Sequence, residues 1–310
     1  MTITCAYVGI DISKHHLDLF DTGLERSERL ANDAATAAML ANRFRESGAF
    51  VVFEATGHYD TCLRQALAEA GVAFARVNPT RARHFARAAG FLAKTDKVDA
   101  RMLAALGQSL QPPAAAPVEP ERERLALLHK RRDQLVATRM QERTRLRECR
   151  DLTLAGSIKA HLAWLDHEVA ALEAACAELI KANPALLAIA RLIRSVPGVG
   201  PVTAATLLAL NPELGSRSPK SIAALAGLAP LNNDTGQFRG KRTIRGGRKR
   251  LRDALYISAV VASRSKGRFG TFYKALRKAG KAPKQAFIAL ARKILITLNA
   301  IVRDRVPFHP

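Results

Sequence analysis

Four carboxylates in the first hundred residues have the types and spacing of a site for phosphoryl chemistry. Asp11 and Glu54 each end an apolar run typical of a strand, whereas Asp96 and Asp99 lie three residues apart in a helical pattern and so share one face. Carboxylate oxygens are ligands that Mg²⁺ takes, and two such ions would stabilise the attacking and leaving oxygens of a phosphoryl transfer. These four residues are candidate metal ligands and catalytic groups.

Each of these acids also has an ordinary structural interpretation. Asp11 would cap a turn, Glu54 would be a surface residue, and Asp96 would be a charge that the helix dipole favours at a helix N-terminus. Four carboxylates gathered without cations would repel one another strongly. The residues alone leave both interpretations open, and their combination favours a site.

A dense group of cations in the second half of the chain indicates contact with phosphates. Residues 239–252 place eight basic side chains in fourteen positions, with glycines that permit close approach of the backbone. Such a run is commonly a solvated face. We favour binding to a nucleic-acid backbone by its members: Arg239, Lys241, Arg242, Arg245, Arg248, Lys249, Arg250 and Arg252.

A second candidate for phosphate binding is the break at 196–201 (Val-Pro-Gly-Val-Gly-Pro), which resembles the turn of a helix-hairpin-helix motif. In such a turn the amides of Gly198 and Gly200 would approach a DNA phosphate at a helix N-terminus. A plain helix–helix turn explains these residues equally well.

The charge distribution points to a nucleic-acid partner. The 310-residue chain has a formal net charge of +22 and a pI near 10.7. Residues 191–310 hold 24 Lys and Arg against 4 Asp and Glu, whereas residues 1–190 hold 25 against 23. A polyanion would relieve the repulsion within the basic part. We therefore expect the C-terminal part to bind phosphates and the N-terminal part to have a function that needs carboxylates.

The composition also narrows the expected setting. The four cysteines, Cys5, Cys62, Cys149 and Cys176, are scattered and show neither CxxC spacing nor a disulfide framework. No run of about 18 apolar residues predicts a membrane span, and the N-terminus lacks a signal-peptide pattern. We expect a cytoplasmic, nucleoid-associated protein without a membrane partner.

The elements that must position the four acids predict a mixed α/β sheet over residues 1–110, because strand and helix patterns alternate there. Residues 5–12 and 16–21 form a hairpin pattern. The further predicted strands are 49–53 and 73–77, and the predicted helices are 33–47, 60–70 and 95–109.

The rest of the chain predicts a connector at 111–185 and a mostly helical basic domain at 186–310. Four prolines in 111–120 indicate a stiff linker. The second of two helices after it carries a heptad seam typical of a coiled coil, formed by Ile158, Leu162, Leu165, Val169, Leu172, Cys176 and Leu179. Either an intramolecular hairpin or an intermolecular coil would bury the seam, and we expect it to contribute to a dimer or tetramer.

Several segments of this sequence are similar, in order and spacing, to the insertion-sequence one-ten family of DEDD transposases, a group that includes the Piv DNA invertases. In the first domain they are 9–14 (Gly-Ile-Asp-Ile-Ser-Lys), 53–57 (Phe-Glu-Ala-Thr-Gly) and 94–101 (Lys-Thr-Asp-Lys-Val-Asp-Ala-Arg). In the C-terminal domain they are 195–200, 226–230, 234–236 and 240–242. The resemblance therefore spans nearly the whole chain.

The resemblance implies a RuvC-like, RNase H-like fold for the first domain, with Mg²⁺ at Asp11, Glu54, Asp96 and Asp99. It also implies a nucleophilic serine from the C-terminal domain and a covalent protein–DNA intermediate. Members of the family resemble RNA-guided recombinases, in which a structured non-coding RNA pairs with target and donor DNA and a tetramer exchanges strands. Guide RNA and both DNAs are the partners this resemblance implies.

The sequence departs from the family at the expected nucleophile. Thr235 stands where the family has serine, between Asp234 and Gly236, which match. Threonine keeps a hydroxyl, but its methyl group restricts χ1 and crowds an in-line attack. We predict that Thr235 is the attacking residue, with Ser258, Ser263 and Ser265 of a predicted helix as alternatives. Outside the family context, residues 234–236 would be an ordinary turn.

Two other functions remain open on the sequence alone. A metal-dependent nuclease or junction resolvase would use water and never become linked to DNA. A nucleic-acid-binding protein that lost catalysis together with the serine would show neither cleavage nor a covalent adduct.

Overall fold

The computed structural model describes residues 6–55, 57, 59–91, 95–115, 119–240 and 242–309. The chain divides into two compact units, Met1–Val118 and Glu119–Pro310, called here the N-terminal and C-terminal units. Residues 111–115 of the predicted linker belong to the N-terminal unit, where the Ala115 amide donates a hydrogen bond of 2.7 Å to the Phe74 carbonyl.

The N-terminal unit is built on a five-stranded mixed sheet. Its strands are β1 (Tyr7–Ile12), β2 (His16–Asp21), β3 (Arg26–Ala31), β4 (Phe50–Glu54) and β5 (Phe74–Val77), in the spatial order β3-β2-β1-β4-β5. The first three strands form an antiparallel meander, and β4 and β5 continue the sheet in parallel with β1. The expected mixed α/β architecture is confirmed.

Helices cover both faces of this sheet: α1 (Ala34–Ser47), α2 (Thr61–Glu69), α3 (Pro79–Ala88) and α4 (Asp96–Leu110). Because side chains alternate along a strand, Ile10 and Phe53 pack into one core with residues of α1 and α2 such as Phe44. On the opposite face, Val52 packs with Leu103 and other residues of α4.

Two elements of this unit differ from the sequence-based expectation. Strand β3 has the sequence Arg-Ser-Glu-Arg-Leu-Ala and lies at the edge of the sheet, where a mostly exposed strand lacks the apolar run used to predict the others. Helix α3 follows Asn78, whose side chain accepts a hydrogen bond from the Thr80 amide. Asn78-Pro79 marked the end of a strand, and its second role as a helix cap was missed.

The C-terminal unit is mostly helical. Its helices are α5 (Pro120–Glu148), α6 (Leu152–Ala182), α7 (Pro184–Arg194), α8 (Pro201–Leu210), α9 (Pro219–Leu225), α10 (Lys249–Ala262), α11 (Arg268–Lys278) and α12 (Pro283–Asp304). Two-residue strands form two small antiparallel sheets, β6 (Pro230–Leu231) with β9 (Thr243–Ile244), and β7 (Asp234–Thr235) with β8 (Phe238–Arg239).

Helices α5 and α6 pack on each other as an antiparallel hairpin. Leu135 of α5 is buried with Leu165 and Val169 of α6, and Arg132 pairs with Glu173 across the two helices. Part of the predicted heptad seam is therefore buried within the chain. A contribution of the same helices to an oligomer stays a prediction.

Helix α12 is long and apolar enough to cross a membrane by length and composition alone. Its Leu290, Ile294 and Leu298 are fully buried, and they form the centre of the core of the C-terminal unit. The core helix of a folded domain commonly has such a length and composition.

Candidate functional site

Four charged side chains form a row across the sheet of the N-terminal unit. The register pairs Asp11 with Asp18 and Asp18 with Arg29 across antiparallel strands. Because Ile10 pairs with Phe53 between the parallel strands β1 and β4, Glu54 is the neighbour of Asp11 on the other side. Glu54, Asp11, Asp18 and Arg29, the charged row, therefore occupy neighbouring positions on four adjacent strands.

The charged row lies on the face of the sheet that α4 covers. An added Cβ at Gly9 would come within 2.0 Å of the Ala100 carbonyl oxygen and 2.4 Å of the Ala104 nitrogen, so the backbone of α4 rests directly on β1. Asp11 lies two residues after Gly9 and faces the same way. This close contact brings the first turn of α4, which carries Asp96 and Asp99, to the charged row.

A conventional cap fixes where α4 begins. The Thr95 side chain accepts a hydrogen bond of 3.3 Å from the Val98 amide, and Asp96 and Asp99 occupy the first turn. The partial positive charge of a helix N-terminus favours carboxylates there. Local sequence thus sets the helix boundary and places both acids on the side of the sheet that bears Asp11.

The electrostatics of Asp11 show that the acids are close enough to interact. The pKa of Asp11 is raised to about 6, first by burial and then by the neighbouring charges of Asp99, Asp96 and Asp18, in that order of importance. A carboxyl group with such a pKa sits where a negative charge is unfavourable. A cation bound among these acids would relieve that penalty.

Arg29 supplies one cation to this region. Its Nε and Nη2 each donate a hydrogen bond of 2.9 Å to the Asp18 carboxylate, and Nη2 also donates to Asp96 at 2.5 Å. Asp18 is buried, whereas Asp96 is exposed. The guanidinium therefore connects the sheet to the first turn of α4.

The candidate ligands are all carboxylates, which are the oxygen ligands that hard divalent cations prefer. They come from two neighbouring strands and the first turn of α4. In the part of the chain that the structure describes, no group of three or more Asp, Glu, His or Cys side chains is arranged to hold a metal ion. The Asp96 carboxylate is turned towards Arg29. Metal binding at this place would therefore require Asp96 to exchange its partner.

Asn32 binds the backbone that follows β1 and β4, the two strands that carry Asp11 and Glu54. Its side-chain amide donates to the Ser13 carbonyl at 2.8 Å and to the Tyr59 carbonyl at 3.0 Å. Ser13 follows β1 and Tyr59 follows β4, so one side chain ties both segments together.

Sequence reasoning placed Asp11, Glu54, Asp96 and Asp99 in one domain but missed Asp18, Arg29 and Asn32. The hairpin of β1 and β2 carried the signal for Asp18, because its short turn brings this residue opposite Asp11. Arg29 and Asn32 belong to or follow the unpredicted edge strand β3, so they could not be placed without it.

Thr235 lies on an exposed hairpin of the C-terminal unit. It pairs with Phe238 across β7 and β8, and Gly236 between them has a φ of +56°, a conformation that glycine adopts without strain. All residues from 230 to 239 are exposed. The Thr235 hydroxyl is therefore open to a ligand.

The alternative serines are in a different position. Ser258 is fully buried, Ser263 is largely buried and donates to the Val260 carbonyl, and Ser265 donates to the Ala262 carbonyl. Ser258 packs within the unit, and Ser263 and Ser265 bind carbonyls at the end of α10, so these three hydroxyls are less exposed than that of Thr235.

Half of the basic side chains in the predicted phosphate-binding run are paired with other groups of the C-terminal unit. Arg248 makes two hydrogen bonds of 2.6 Å with Glu213, and Arg250 pairs with Asp133. The other two engaged side chains bind closer in sequence: Lys249 to Asp253 at 2.6 Å and Arg252 to the Gly246 carbonyl at 2.7 Å.

The other members of the run are more available. Arg239, Arg242 and Arg245 are exposed and form no ion pair with any residue that the structure describes. Lys241 lies outside the described residues. The run is thus divided into a part that is paired within the unit and a part that has no ion pair among the described residues.

The two glycines of the 196–201 break have unequal surroundings. Gly198 has a φ of +86°, and a Cβ there would lie 2.5 Å from the Ser258 carbonyl oxygen, so its backbone packs against α10. Gly200 precedes α8, and an added Cβ there would meet nothing within 4 Å. Of the two, Gly200 has the open surroundings that approach to a phosphate needs.

Comparison with protein families gives two matches along this chain. A DEDD transposase model of the IS110 type, described as a transposase, matches residues 8–154. A second model, described as the IS116/IS110/IS902 family of transposases, matches residues 190–274. The first match includes the charged row and α4, and the second includes Thr235 and the basic run.

Curated relatives agree with these matches. The chain is 30% identical over 313 residues to a pilin gene-inverting protein of Moraxella lacunata and 29% identical to that of Moraxella bovis. Each alignment covers 97% of this chain and 97% of the relative. An insertion element IS110 43.6 kDa protein of Streptomyces coelicolor is 33% identical over 151 residues, which cover 48% of this chain and 36% of that protein.

Proposed function

The chain belongs to the IS116/IS110/IS902 family of transposases, which gives it an enzymatic role in DNA recombination, and we propose that it cuts and rejoins DNA through a covalent link to Thr235. The observation that carries the proposal is the crowding of Asp11 by Asp18, Asp96 and Asp99 on one face of a mixed sheet. A mixed sheet of this kind agrees with the RuvC-like fold that the family implies.

Divalent metal ions, Mg²⁺ in the first place, are the proposed cofactor of the carboxylates. Asp11, Glu54, Asp96 and Asp99 would hold them, and when bound they would supply charge stabilisation to both oxygens of the reacting phosphate. Asp18 and Arg29 keep a positioning role, because Arg29 orients the Asp96 carboxylate and Asp18 orients Arg29.

Thr235 is proposed as the nucleophile. A bond forms between Thr235 Oγ1 and the phosphorus, and the bond from phosphorus to the leaving sugar oxygen breaks. The hydroxyl proton leaves Oγ1, and the released sugar oxygen gains a proton, so the step is balanced without a further reactant. The step requires hydroxyl and phosphate to come within about 3–3.5 Å during the reaction, which we propose is coupled to DNA binding.

The exposed cations of the basic run are the proposed contacts to the nucleic-acid backbone. Arg239, Arg242 and Arg245 are free of internal ion pairs among the described residues, and Lys241 belongs to the same run of the sequence. We further propose target and donor DNA as substrates and a structured guide RNA and a homo-oligomer as the working assembly. The large positive charge of the chain supports both polyanions.

Trapping with end-labelled DNA and Mg²⁺ in a denaturing gel tests the reaction. We expect the wild-type protein to form a protein–DNA adduct, Thr235→Ala to lose it completely, and Thr235→Ser to form more of it because the crowding methyl group is gone. Thr271→Ala, which removes another exposed threonine hydroxyl from the same unit, is the matched control and should keep the adduct.

The other outcomes distinguish the rival functions. An adduct that survives Thr235→Ala would show that Thr235 is not the nucleophile. Cleavage without an adduct would favour a nuclease that uses water, and neither cleavage nor an adduct would favour binding alone. A structured RNA that copurifies with the protein would support the guide, and protein that binds no RNA would remove it from the proposal.

A further inference from the structure

A groove of about 730 Å³ opens on the C-terminal unit between the β6–β9 sheet and helices α11 and α12. Its size is that of ordinary sites for small ligands. Four basic side chains line it, namely Arg242, Lys281, Lys284 and Arg292, and its described lining contains no acidic side chain. The groove is therefore a concave cationic surface.

The cations of the groove are not used by the fold. Arg242, Lys281 and Lys284 are exposed and Arg292 is half-buried, and none of the four forms an ion pair with a described residue. Arg248 and Arg250, by contrast, are paired with acids of other helices. Cations gathered without partners repel one another until an anion binds.

The floor of the groove is apolar. Its apolar side chains are those of Leu228, Pro230, Ile244, Leu276 and Ile288. Gln285 adds a polar group that can donate and accept hydrogen bonds. A surface that bound only phosphate would need cations but no apolar floor. The combination fits a ligand that has both an anionic chain and flat apolar faces.

Single-stranded nucleic acid has this combination, whereas a duplex does not. In a duplex the faces of the bases are stacked on one another and the phosphates are outermost, so an apolar floor would stay uncovered. An unstacked base offers its face to apolar side chains while its phosphates reach surrounding cations. The groove therefore favours an unstacked strand over a duplex.

The position of the groove favours DNA near the cleaved phosphate as the strand. Pro230 lines the groove, and Thr235 follows five residues later in the sequence. Even a fully extended chain would separate these two residues by at most about 17 Å. The β7–β8 hairpin with Thr235 is inserted between β6 and β9, the two strands that form one wall.

We propose that this groove binds one or two unstacked nucleotides of the DNA strand next to the phosphate that Thr235 attacks. The proposal rests on the proposed function, since it places the strand beside the nucleophile. Lys284 and Arg292 contact the phosphates of these nucleotides, and the apolar floor contacts their bases.

Fluorescence anisotropy with the full chain tests this assignment. The probes are a labelled twelve-nucleotide oligothymidylate, the duplex of that strand and the RNA strand of equal length. The variant Lys284→Ala with Arg292→Ala removes two groove cations, and Lys266→Ala with Lys274→Ala removes two exposed cations that do not line the groove. Gln285→Glu adds one negative charge to the groove at an exposed position and so carries little risk to folding.

We expect the groove double variant to bind the DNA single strand about tenfold more weakly and the duplex less than threefold more weakly. Its salt slope on the single strand should fall by about 1.4, which corresponds to two lost contacts. Gln285→Glu should weaken single-strand binding about threefold with an unchanged melting temperature. The control variant should change single-strand and duplex binding by the same factor.

If the groove variant and the control variant each lost affinity for the single strand and the duplex by the same factor, the proposed role of the groove would be wrong. A loss confined to the RNA strand would overturn the choice of DNA. Wild-type protein that binds neither DNA nor RNA would contradict the proposed function itself, whereas normal adduct formation by a groove variant with unchanged single-strand affinity would contradict the groove alone.

Discussion

The charged row of the N-terminal unit and the basic run of the C-terminal unit both crowd like charges, but they treat the crowding differently. Asp11 has three acids nearby and a pKa raised to about 6 by burial and by their repulsion. In the basic run, acids from distant parts of the chain neutralise Arg248 and Arg250. Burial disfavours the ionised Glu213, yet the hydrogen bonds from Arg248 outweigh it and hold its pKa below the ordinary value.

The difference separates two uses of charge. A charge that the fold neutralises stabilises the unit and is not available to a ligand. A charge that the fold leaves uncompensated raises the free energy of the folded state until a ligand of opposite sign binds. The number of basic residues in a run therefore overstates its contacts with phosphate, and burial and pairing decide which members remain.

The contact between α4 and β1 imposes the crowding in the N-terminal unit, so breaking it has the largest expected effect. We expect Gly9→Ala to lower the free energy of unfolding by about 3 kcal/mol, because the added methyl group meets the backbone of α4, which cannot move away cheaply. Urea unfolding followed by circular dichroism measures the change.

Gly156→Ala is the control for this substitution, because Gly156 lies within α6 and an added Cβ there meets nothing within 4 Å. It should raise stability by up to about 1 kcal/mol through helix propensity. Equal effects of the two substitutions would show that α4 does not rest on β1 as described.

Protonation of His129 would place a positive charge on a buried side chain of the C-terminal unit. Burial, and then the charges of Arg250 and Arg132, lower the pKa of His129 to about 4 against the opposing charge of Glu173. Its Nε2 lies 2.9 Å from Thr206 Oγ1 and 3.6 Å from the Asp133 carboxylate. The unfolded chain, with a pKa near 6.5, therefore binds the proton first as the pH falls.

The stability from His129 should be fully present above pH 6.5 and lost as the pH falls towards 4. We expect a loss of about 2 kcal/mol between pH 7 and pH 4.5 from this group. Unfolding curves across this range measure it, and His129→Gln should flatten the dependence. An equally steep decline in the variant would assign the effect to other groups.

Arg248 and Arg245 form a matched pair that separates fold from ligand binding. Arg248→Ala should lower the free energy of unfolding by about 1.5 kcal/mol, a value reduced for partial exposure, because it removes both hydrogen bonds to Glu213. Arg245→Ala should change it by less than about 0.5 kcal/mol but lower the salt slope of duplex binding by about 1. The comparison fails if the two variants change stability alike.

Asp11 and Asp18 form the corresponding pair among the acids. In the presence of a chelator, Asp11→Asn should raise the free energy of unfolding by about 1 kcal/mol, since it removes a crowded charge that solvent screens in part. Asp18→Asn should lower it, because Arg29 loses its buried partner. Melting curves measure both, and shifts of the same sign would contradict the distinction.

Mg²⁺ should reverse the advantage of the Asp11 variant. A cation that binds only the folded state stabilises it by mass action, so the wild-type protein should gain more from Mg²⁺ than Asp11→Asn does. An equal gain in both proteins would remove Asp11 from the proposed metal ligands.

The sequence predicted those parts of the fold whose apolar patterns are local. Strands β1, β2, β4 and β5 and helices α1, α2 and α4 follow from runs and periodicity, and the order of strands and helices predicts the mixed sheet. The exposed edge strand β3 has no apolar run, and its absence from the prediction hid Arg29 and Asn32.

Pairing over long distances in sequence is what local patterns do not contain. Arg248 and Glu213 are 35 residues apart, and the partner of Arg250 lies on a helix of another part of the chain. The eight cations of 239–252 therefore looked equivalent. Only the packed structure divides them, just as it places Ser258 inside the core.

The hairpin of α5 and α6 has a consequence for attaching probes to this protein. Helices of 29 and 31 residues extend about 45 Å, and a turn at 149–151 joins them. Leu152 beside this turn is exposed, whereas Leu125 and Ile180 at the opposite end of the hairpin lie in the core of the unit. A fluorescent domain inserted at the turn would lie far from that core. The turn is therefore a suitable attachment site for a label in single-molecule experiments on DNA.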